Sequence, residues 1–271
     1  VILGVNVKID NIKPVLSQNI YVMDRLLALE QSKSERLKDY RSGVCQFNKE
    51  GGFTQIDEFI DNWSCHQNDE LNLISTRVGI FGDSHSADVA QSLRLNDIDV
   101  LQIGGANCPL FRKISQPNYC DALFSKFSSE ATKQKLNTVV LVNSFDSEEL
   151  DAEHLNKTLD YWSTKFQKVF ILTPRIEFPN GIQKYLRDGS MHVEYSIVTA
   201  ERFKDITDGL KIPPNVTIVD TNLIFCSDGL ENCFQKDGVV QVVDDTHWSN
   251  YASKRFGSVL KTIIFSEINS R

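Results

Sequence analysis

The chain has 271 residues, of which 41% are hydrophobic and 24% are charged, and its formal net charge at pH 7 is -7. This length and apolar content suit one α/β domain with additions. The negative charge argues against a nucleic-acid partner, because no basic excess exists to neutralise phosphates, and against charge-driven docking on an anionic membrane.

The first 41 residues are predicted to be a helical extension. The sequence begins at Val1 and not at Met, so we expect a fragment or a processed chain. Its apolar run to Val5 is far shorter than the roughly 20 residues that span a bilayer. Residues 17–41 are predicted to form a helix that packs on the main domain or links it to a segment upstream. The apolar face of this helix would consist of Val22, Met23, Leu26 and Leu27. Residues 42–70 are rich in Gly, Asn and Asp and are predicted to be irregular.

From residue 77 onward, short apolar runs alternate with stretches of helical spacing. The predicted strands are 77–81, 97–103, 138–142, 168–172 and 215–219. The predicted helices are 86–95, 123–136, 148–166, 199–210 and a last helix that starts after Ser249. This alternation predicts a parallel sheet of about five strands with helices on both faces.

Residues suited to catalysis follow the predicted strands. Gly82-Asp83-Ser84-His85 comes after the first strand, Gly104 and Gly105 come after the second, and Asn143 comes after the third. His247 lies in the loop before the last helix. Because ligands of parallel sheets bind beyond the carboxyl ends of the strands, we expect these residues to meet on one rim.

These residues have the chemistry of a serine-dependent acyl-transfer site. A serine hydroxyl becomes a good nucleophile when an imidazole takes its proton and a carboxylate orients the imidazole. Ser84 is the predicted nucleophile and His247 the predicted base, with Asp244 as the orienting carboxylate in preference to Asp245. The predicted oxyanion donors are the N–H groups of Ser84 and of Gly105 or Gly104, and the side-chain amide of Asn143. Each motif alone is as often a turn, a loop or a helix cap, so the prediction depends on their joint occurrence.

The six cysteines form three close pairs along the sequence. The pairs are Cys45 with Cys65, Cys108 with Cys120, and Cys226 with Cys233. Their spacing does not fit a zinc site, and no metal is expected. Disulfides paired in sequence order are favoured, because short loops close at low entropic cost. Six buried free thiols in a reducing compartment are the alternative, and disulfides would indicate an oxidising one.

The motif Gly82-Asp83-Ser84-His85 and the pair Asp244 and His247 resemble those of the SGNH/GDSL hydrolases. The resemblance implies a three-layer, flavodoxin-like α/β fold, with Ser84 as nucleophile and with Gly105 or Gly104 and Asn143 at the oxyanion hole. The segment around Asn143 departs from the usual Gly-x-Asn-Asp pattern of that family.

A closer resemblance covers roughly residues 42–265. Cys108-Pro109, Thr173-Pro174 and the ending from Cys226 and Cys233 to Asp244–Ser249 are similar to the SGNH domain fused to bacterial acyltransferase-3 membrane proteins. Those proteins include O-acetyltransferases of O-antigen and other surface polysaccharides. Trp248 stands where that family commonly has Leu.

This resemblance implies a domain plan and a set of partners. Residues 1–41 would be the linker from an upstream transmembrane acyltransferase domain, and residues 42–271 would be the SGNH domain. That domain would lie in the periplasm as part of an inner-membrane protein, and its cysteines would form disulfides. The ultimate donor would be acetyl-CoA at the membrane domain, with no cofactor in this domain. The acceptor would be a polysaccharide or glycolipid.

Three functions remain open on the sequence alone. The first is transfer of an acetyl group through an acyl-enzyme on Ser84 to a sugar hydroxyl. The second is a carbohydrate acetylesterase or lipase-like hydrolase that uses the same residues with water as acceptor. The third is a non-catalytic module that binds polysaccharide. In each case His85, Trp248 and Tyr251 are possible pocket residues.

Overall fold

The computed structural model describes the greater part of the chain. The described residues are 27, 29–36, 41, 44–47, 55–65, 77–106, 108, 110, 118–144, 152–178, 198–226, 233, 235–236, 239–244 and 246–266. Val22, Met23 and Leu26 of the predicted N-terminal helix, and Asp245, lie outside these residues.

A six-stranded parallel sheet forms the middle layer of the molecule. Its strands are β1 (Gln46–Phe47), β2 (Val78–Gly82), β3 (Val100–Gly105), β4 (Thr138–Val142), β5 (Lys168–Leu172) and β6 (Val216–Val219). The strand order is β1-β3-β2-β4-β5-β6, and every neighbouring pair is parallel. The five longer strands are the predicted ones, and their order is the flavodoxin-like 2-1-3-4-5. The predicted fold class is therefore confirmed.

The strands are apolar because both faces of the sheet are covered. Every residue of β2, β3 and β4 is buried. Alternate side chains enter two separate cores: Ile80 packs on one side of the sheet and Phe81 packs on the other. The three central strands therefore carry no polar side chain to solvent on either face, as their continuous apolar runs predict.

Seven helices with described bounds surround the sheet or lie at its ends. They are α1 (Ile56–Asn62), α2 (His85–Arg94), α3 (Asn118–Lys133), α4 (Ala152–Lys165), α5 (Val198–Asp208), α6 (Thr221–Phe225) and α7 (Asn250–Ser266). Buried side chains of α1, α3, α4 and α5 join one core, and those of α2 and α7 join the other. Nowhere in the described ranges does a helix have both the length and the apolarity needed to span a membrane.

Helices α2 and α7 pack unusually close together. A Cβ atom on Gly257 of α7 would overlap the carbonyl oxygen of Ser92 on α2. The side chain of Asn96, just after α2, donates to the carbonyl of Lys254 at 2.9 Å. This contact matters for the site because Ser84 immediately precedes α2 and His247 lies three residues before α7.

Three regions differ from the prediction. Residues 42–70, predicted to be irregular, contain β1 and α1, because Gln46 and Phe47 pair with the end of β3 and Phe59 of α1 is fully buried. The strand predicted at 97–103 begins at Val100, because the preceding turn holds Asp97 at φ 60°, a left-handed conformation that Asp tolerates. A short antiparallel pair, β7 (Gln235–Lys236) with β8 (Val239–Val240), lies outside the main sheet.

The described part of the N-terminal helix packs on the domain. Residues 29–36 are helical, and Leu29 is buried in the core that includes α2 and α7. Leu27, predicted for the apolar face, is 64% exposed, so its inclusion in that face was wrong. The helix packs on the domain through Leu29 and Arg36 instead, and both of these side chains are buried.

All three cysteine pairs form disulfides in sequence order. The bonds are Cys45–Cys65, Cys108–Cys120 and Cys226–Cys233, with sequence separations of 20, 12 and 7. The predicted pairing is thus confirmed. Each bond ties together chain segments that are close in sequence.

Candidate active site

Ser84 lies at the carboxyl edge of the sheet, between the end of β2 and the start of α2. It is the N-cap residue of α2 and is half-buried. Gly82, which ends β2, has φ 156°, and a Cβ atom there would overlap the carbonyl oxygen of Val142. Glycine is therefore required for the sharp turn that brings Ser84 to the rim. The N-terminus of a helix also favours negative charge at this position.

Asp83 fixes this turn to the neighbouring strands. Its buried carboxylate accepts hydrogen bonds from the backbone N–H of His85 at 2.9 Å and of Ser144 at 2.6 Å. Its carbonyl accepts from Gln46 of β1 at 3.1 Å. Burial raises the pKa of Asp83, and these hydrogen bonds offset only part of that rise. Asp83 is therefore a structural carboxylate that holds the loops after β2 and β4 together.

Asp244 and His247 form the hydrogen-bonded pair that their spacing predicts. Asp244 Oδ2 lies 2.8 Å from His247 Nδ1, and Asp244 Oδ1 accepts from the backbone N–H groups of Thr246 at 2.9 Å and His247 at 2.7 Å. Burial alone would raise the pKa of Asp244, but His247 and the two N–H groups outweigh it and lower that pKa. An ionised Asp244 keeps the proton on Nδ1, which leaves Nε2 as the basic nitrogen.

The ring of His247 lies against the turn that carries Ser84. The His247 and His85 ring centroids are 5.6 Å apart in an edge-to-face arrangement, and His85 directly follows Ser84 in the chain. Burial, and next the positive charge of Arg175, hold the pKa of His85 well below its usual value. His85 is therefore a neutral neighbour of His247, and the structure brings the predicted base to the predicted nucleophile turn.

The two glycines that end β3 lie at the carboxyl edge of the sheet. Both are buried in the last positions of the strand. The N–H of Gly104 donates to the carbonyl of Cys45 at 3.3 Å, in the pairing with β1, and Gly104 also pairs with Gly82 at the end of β2. A Cβ atom on Gly105 would lie 2.5 Å from Leu123 Cδ1 and 3.0 Å from Cys108 Sγ, so a larger residue would displace these side chains at the strand end.

Asn143 also reaches the rim. It follows β4, is 8% exposed, and its amide nitrogen donates to the carbonyl of Cys108 at 3.3 Å. It borders a small cleft at the ends of β4 and β5. The other residues that line this cleft are His85, Val89, Val142, Leu172, Thr173, Arg175, Thr221 and Trp248.

The predicted pocket aromatics occupy different environments. Trp248 is 2% exposed, and its ring packs on Phe225 and Phe256 at centroid distances of 5.1 and 4.5 Å. It borders the cleft from within the core and is not placed to stack on a sugar ring. Tyr251, on the first turn of α7, is half-buried.

Three charged residues beside the site were missed by the sequence analysis. Asp88 of α2 is completely buried and is contacted by Arg36 and Arg175, both at 2.8 Å. Burial would raise the pKa of Asp88, but the two guanidinium groups lower it on balance. The one available signal was the position of Asp88 four residues after Ser84, on the same side of a helix.

Comparisons with known proteins agree with this architecture. A family model described as "SGNH domain (fused to AT3 domains)" matches residues 44–262. The periplasmic domain of the lipopolysaccharide acetyltransferase of Salmonella ser. Paratyphi A is similar in structure. Its TM-score is 0.62 at 14% sequence identity, over 88% of this chain and 97% of that one. At this identity the similarity establishes the fold alone.

A second solved structure is more distant. It is a carbohydrate acetylesterase from Sinorhizobium meliloti, with a TM-score of 0.40 and 14% identity over 71% of this chain and 100% of that one. We infer nothing from so low a TM-score. Among curated protein sequences, none matches the chain.

Proposed function

Because the chain belongs to the family of SGNH domains that are fused to AT3 domains, we propose that it transfers an acetyl group to a hydroxyl of a bacterial surface polysaccharide such as O-antigen. Its family and fold are those of proteins that transfer or hydrolyse acyl groups. In the proposal, this domain lies in the periplasm, and an upstream transmembrane acyltransferase domain of the same protein presents the acetyl group, with acetyl-CoA as ultimate donor.

One observation carries the proposal: the ionised Asp244 holds His247 at 2.8 Å, and the ring of His247 rests beside the turn of Ser84. A carboxylate, an imidazole and a serine at a helix N-terminus make up the three parts of a serine acyl-transfer site. The low pKa of Asp244 supports this role, because an ionised carboxylate stabilises the imidazolium that forms during catalysis.

In the first step, the acetyl group moves to the enzyme. His247 Nε2 takes the proton of Ser84 as Ser84 Oγ attacks the carbonyl carbon of the acetyl group. Negative charge then develops on the carbonyl oxygen. The N–H groups of Ser84 and of Gly105 or Gly104, with the amide of Asn143, are the proposed donors to that oxygen. The tetrahedral intermediate collapses, the bond to the donor breaks, and the leaving group takes the proton from His247.

In the second step, the acetyl group moves to the sugar. His247 removes the proton of an acceptor hydroxyl, and that oxygen attacks the acetyl-serine carbonyl. The second intermediate collapses with release of Ser84 Oγ, which recovers its proton from His247. The products are the acetylated sugar and the free enzyme.

The direct test is NMR of surface polysaccharide from cells that carry the full-length protein. We expect one O-acetyl signal to disappear in Ser84→Ala and in His247→Ala, because each lacks a group that acts in both steps. Ser258→Ala is the matched control, since Ser258 is an exposed serine of α7. Unchanged acetylation in both site variants, at equal protein levels, would refute a catalytic role.

Hydrolysis is the second candidate. The basic nitrogen Nε2 of His247 is buried, but the side chains of His247 and Asp244 are 22% and 49% exposed, so the pair lies at the protein surface. If the purified protein releases acetate rapidly from acetylated glycans and does not acetylate an added sugar acceptor, it is an esterase. Acetate release that is slow beside transfer to the sugar favours the proposed transferase.

A further inference from the structure

Asp88 is a buried carboxylate with every part of its surface in contact with protein. It lies on α2 one helical turn after Ser84 and is 0% exposed. Its Oδ1 accepts two hydrogen bonds from one guanidinium, from Arg36 Nε at 3.0 Å and Arg36 Nη2 at 2.8 Å. Its Oδ2 lies 2.8 Å from Arg175 Nη1 and accepts from the backbone N–H of Trp248 at 3.4 Å. One carboxylate thus joins three distant segments to the helix that begins at Ser84.

The third of these segments is the loop that carries the catalytic pair. Trp248 directly follows His247. Its N–H is held by Asp88, and its ring lies 4.7 Å from the Arg175 guanidinium carbon. Trp248 is therefore held twice: Asp88 holds its backbone N–H, and Arg175 contacts its ring.

The loop is also closed on itself. The N–H of Val243 donates to the carbonyl of His247 at 2.8 Å, and the N–H of Ser249 donates to the carbonyl of Gln241 at 2.9 Å. These bonds fix the loop internally. They leave its position relative to Ser84 to contacts with α2, which include the ring contact of His247 with His85 and the bond from Trp248 to Asp88.

Fold stability alone is a weak reason for this cluster. Two arginines face one carboxylate, and all three residues are at most 8% exposed. Well-packed apolar side chains often replace buried ion pairs at no loss of stability, because desolvation offsets much of the attraction. A carboxylate whose Oδ1 accepts two N–H groups of one arginine is, however, fixed in orientation more firmly than an apolar contact.

We propose that Asp88, which is oriented by its ion pair with Arg36, is a positioning residue that sets the His247 loop against Ser84. Arg36 belongs to the helix at 29–36, which precedes the family-matched segment 44–262. The N-terminal helix is then a working part of the catalytic unit as well as a connection to it. This inference rests on the proposed function, because it assumes that His247 activates Ser84.

The test uses the purified protein and hydrolysis of p-nitrophenyl acetate at a temperature where each variant is folded by circular dichroism. We expect Arg36→Met and Asp88→Asn to lower kcat by about 10- to 100-fold with KM within about twofold, as for a small misplacement of a catalytic group. Arg36→Lys, which keeps the charge but not the two-pronged contact, should fall between Arg36→Met and wild type. The double variant should lose little more than either single one, because both act through one contact.

Arg77→Met is the matched control. Arg77 makes an ion pair with Asp99 at 2.5 Å, at the opposite end of the sheet from the site. We expect this variant to lower the melting temperature while kcat stays unchanged. The same ranking should appear in the rate at which a fluorophosphonate labels Ser84, a readout independent of the ester substrate.

The outcomes separate this inference from the proposed function. A wild-type protein that neither turns over the ester nor reacts with the fluorophosphonate would refute the proposed function. Normal wild-type activity with an unchanged kcat in folded Arg36→Met and Asp88→Asn would refute the positioning role only. A loss of kcat in Arg77→Met equal to that in Arg36→Met would also refute it, since the effect would then follow from stability in general.

Discussion

Two carboxylates at the same rim have pKa values shifted in opposite directions. Burial raises the pKa of Asp83, whose oxygens are occupied by two backbone N–H groups. The pKa of Asp244 is lowered, because the bonds from His247 and the loop backbone outweigh the effect of burial. Two neighbouring carboxyl groups whose pKa values are shifted in opposite directions take different roles. Asp83 holds the turn together, and Asp244 orients the base.

Asp244→Asn tests this assignment. We expect kcat for ester hydrolysis to fall by about 1,000-fold or more with a small change in KM, because a neutral amide does not stabilise the imidazolium and favours the wrong tautomer. Steady-state kinetics of the purified protein measure this. Asp160→Asn, on the exposed side of α4, should match wild type. A reduction below tenfold in Asp244→Asn would contradict the role of Asp244.

At the scale of elements, the site depends on how closely α2 and α7 approach. Ser84 begins the first helix, and the His247 loop leads into the second. Gly257 allows the contact, since a Cβ atom there would overlap the backbone of Ser92. Backbone cannot move aside as a flexible side chain can, so any larger residue pushes the helices apart.

Gly257→Ala should therefore destabilise the fold by about 1–3 kcal/mol through overpacking, and it should lower kcat because the two halves of the site separate. Urea unfolding and ester hydrolysis measure the two effects. Gly209→Ala is the matched control, because a Cβ atom at Gly209 would make an ordinary 3.6 Å contact with Ile206. Equal unfolding midpoints for the two alanine variants would show that the helix contact tolerates a methyl group.

At the scale of the whole molecule, the sequence predicted what depends on local pattern. Buried parallel strands are continuous apolar runs, so five of the six strands of the main sheet were predicted. The site residues follow strand ends, so Ser84 and His247 were predicted to share a rim. The two-residue strand β1 was missed because its formation depends on β3 and not on its own sequence.

Long-range contacts were also missed. Arg36 and Asp88 are 52 residues apart, and no spacing rule connects residues so far apart in the chain. The exposure of Leu27 was mispredicted for the same reason, because the neighbour of a helix decides which of its faces is buried. Local sequence patterns therefore do not show which buried charges form ion pairs.

The stability of the whole molecule should depend on Asp244 in a defined pH range. Folding lowers the pKa of Asp244. The contribution of Asp244 to the free energy of unfolding is therefore full above its pKa in the unfolded chain, about 4, and is lost as the pH falls through its lower pKa in the folded protein. We expect the melting temperature of Asp244→Asn to lie below that of wild type at pH 6 and to approach it as the pH falls below about 4. A difference that stays constant down to pH 3 would contradict this linkage.

The three disulfides have a consequence for biosynthesis. Each ring closes within 7 to 20 residues, so each bond can form as soon as a short stretch of chain meets an oxidising environment. None has to wait for a distant cysteine, and pairing of consecutive cysteines yields the native set. Of the described strands of the main sheet, only β1 lies inside one of the three rings, so the cross-links leave the order of the other strands to the burial of their apolar side chains.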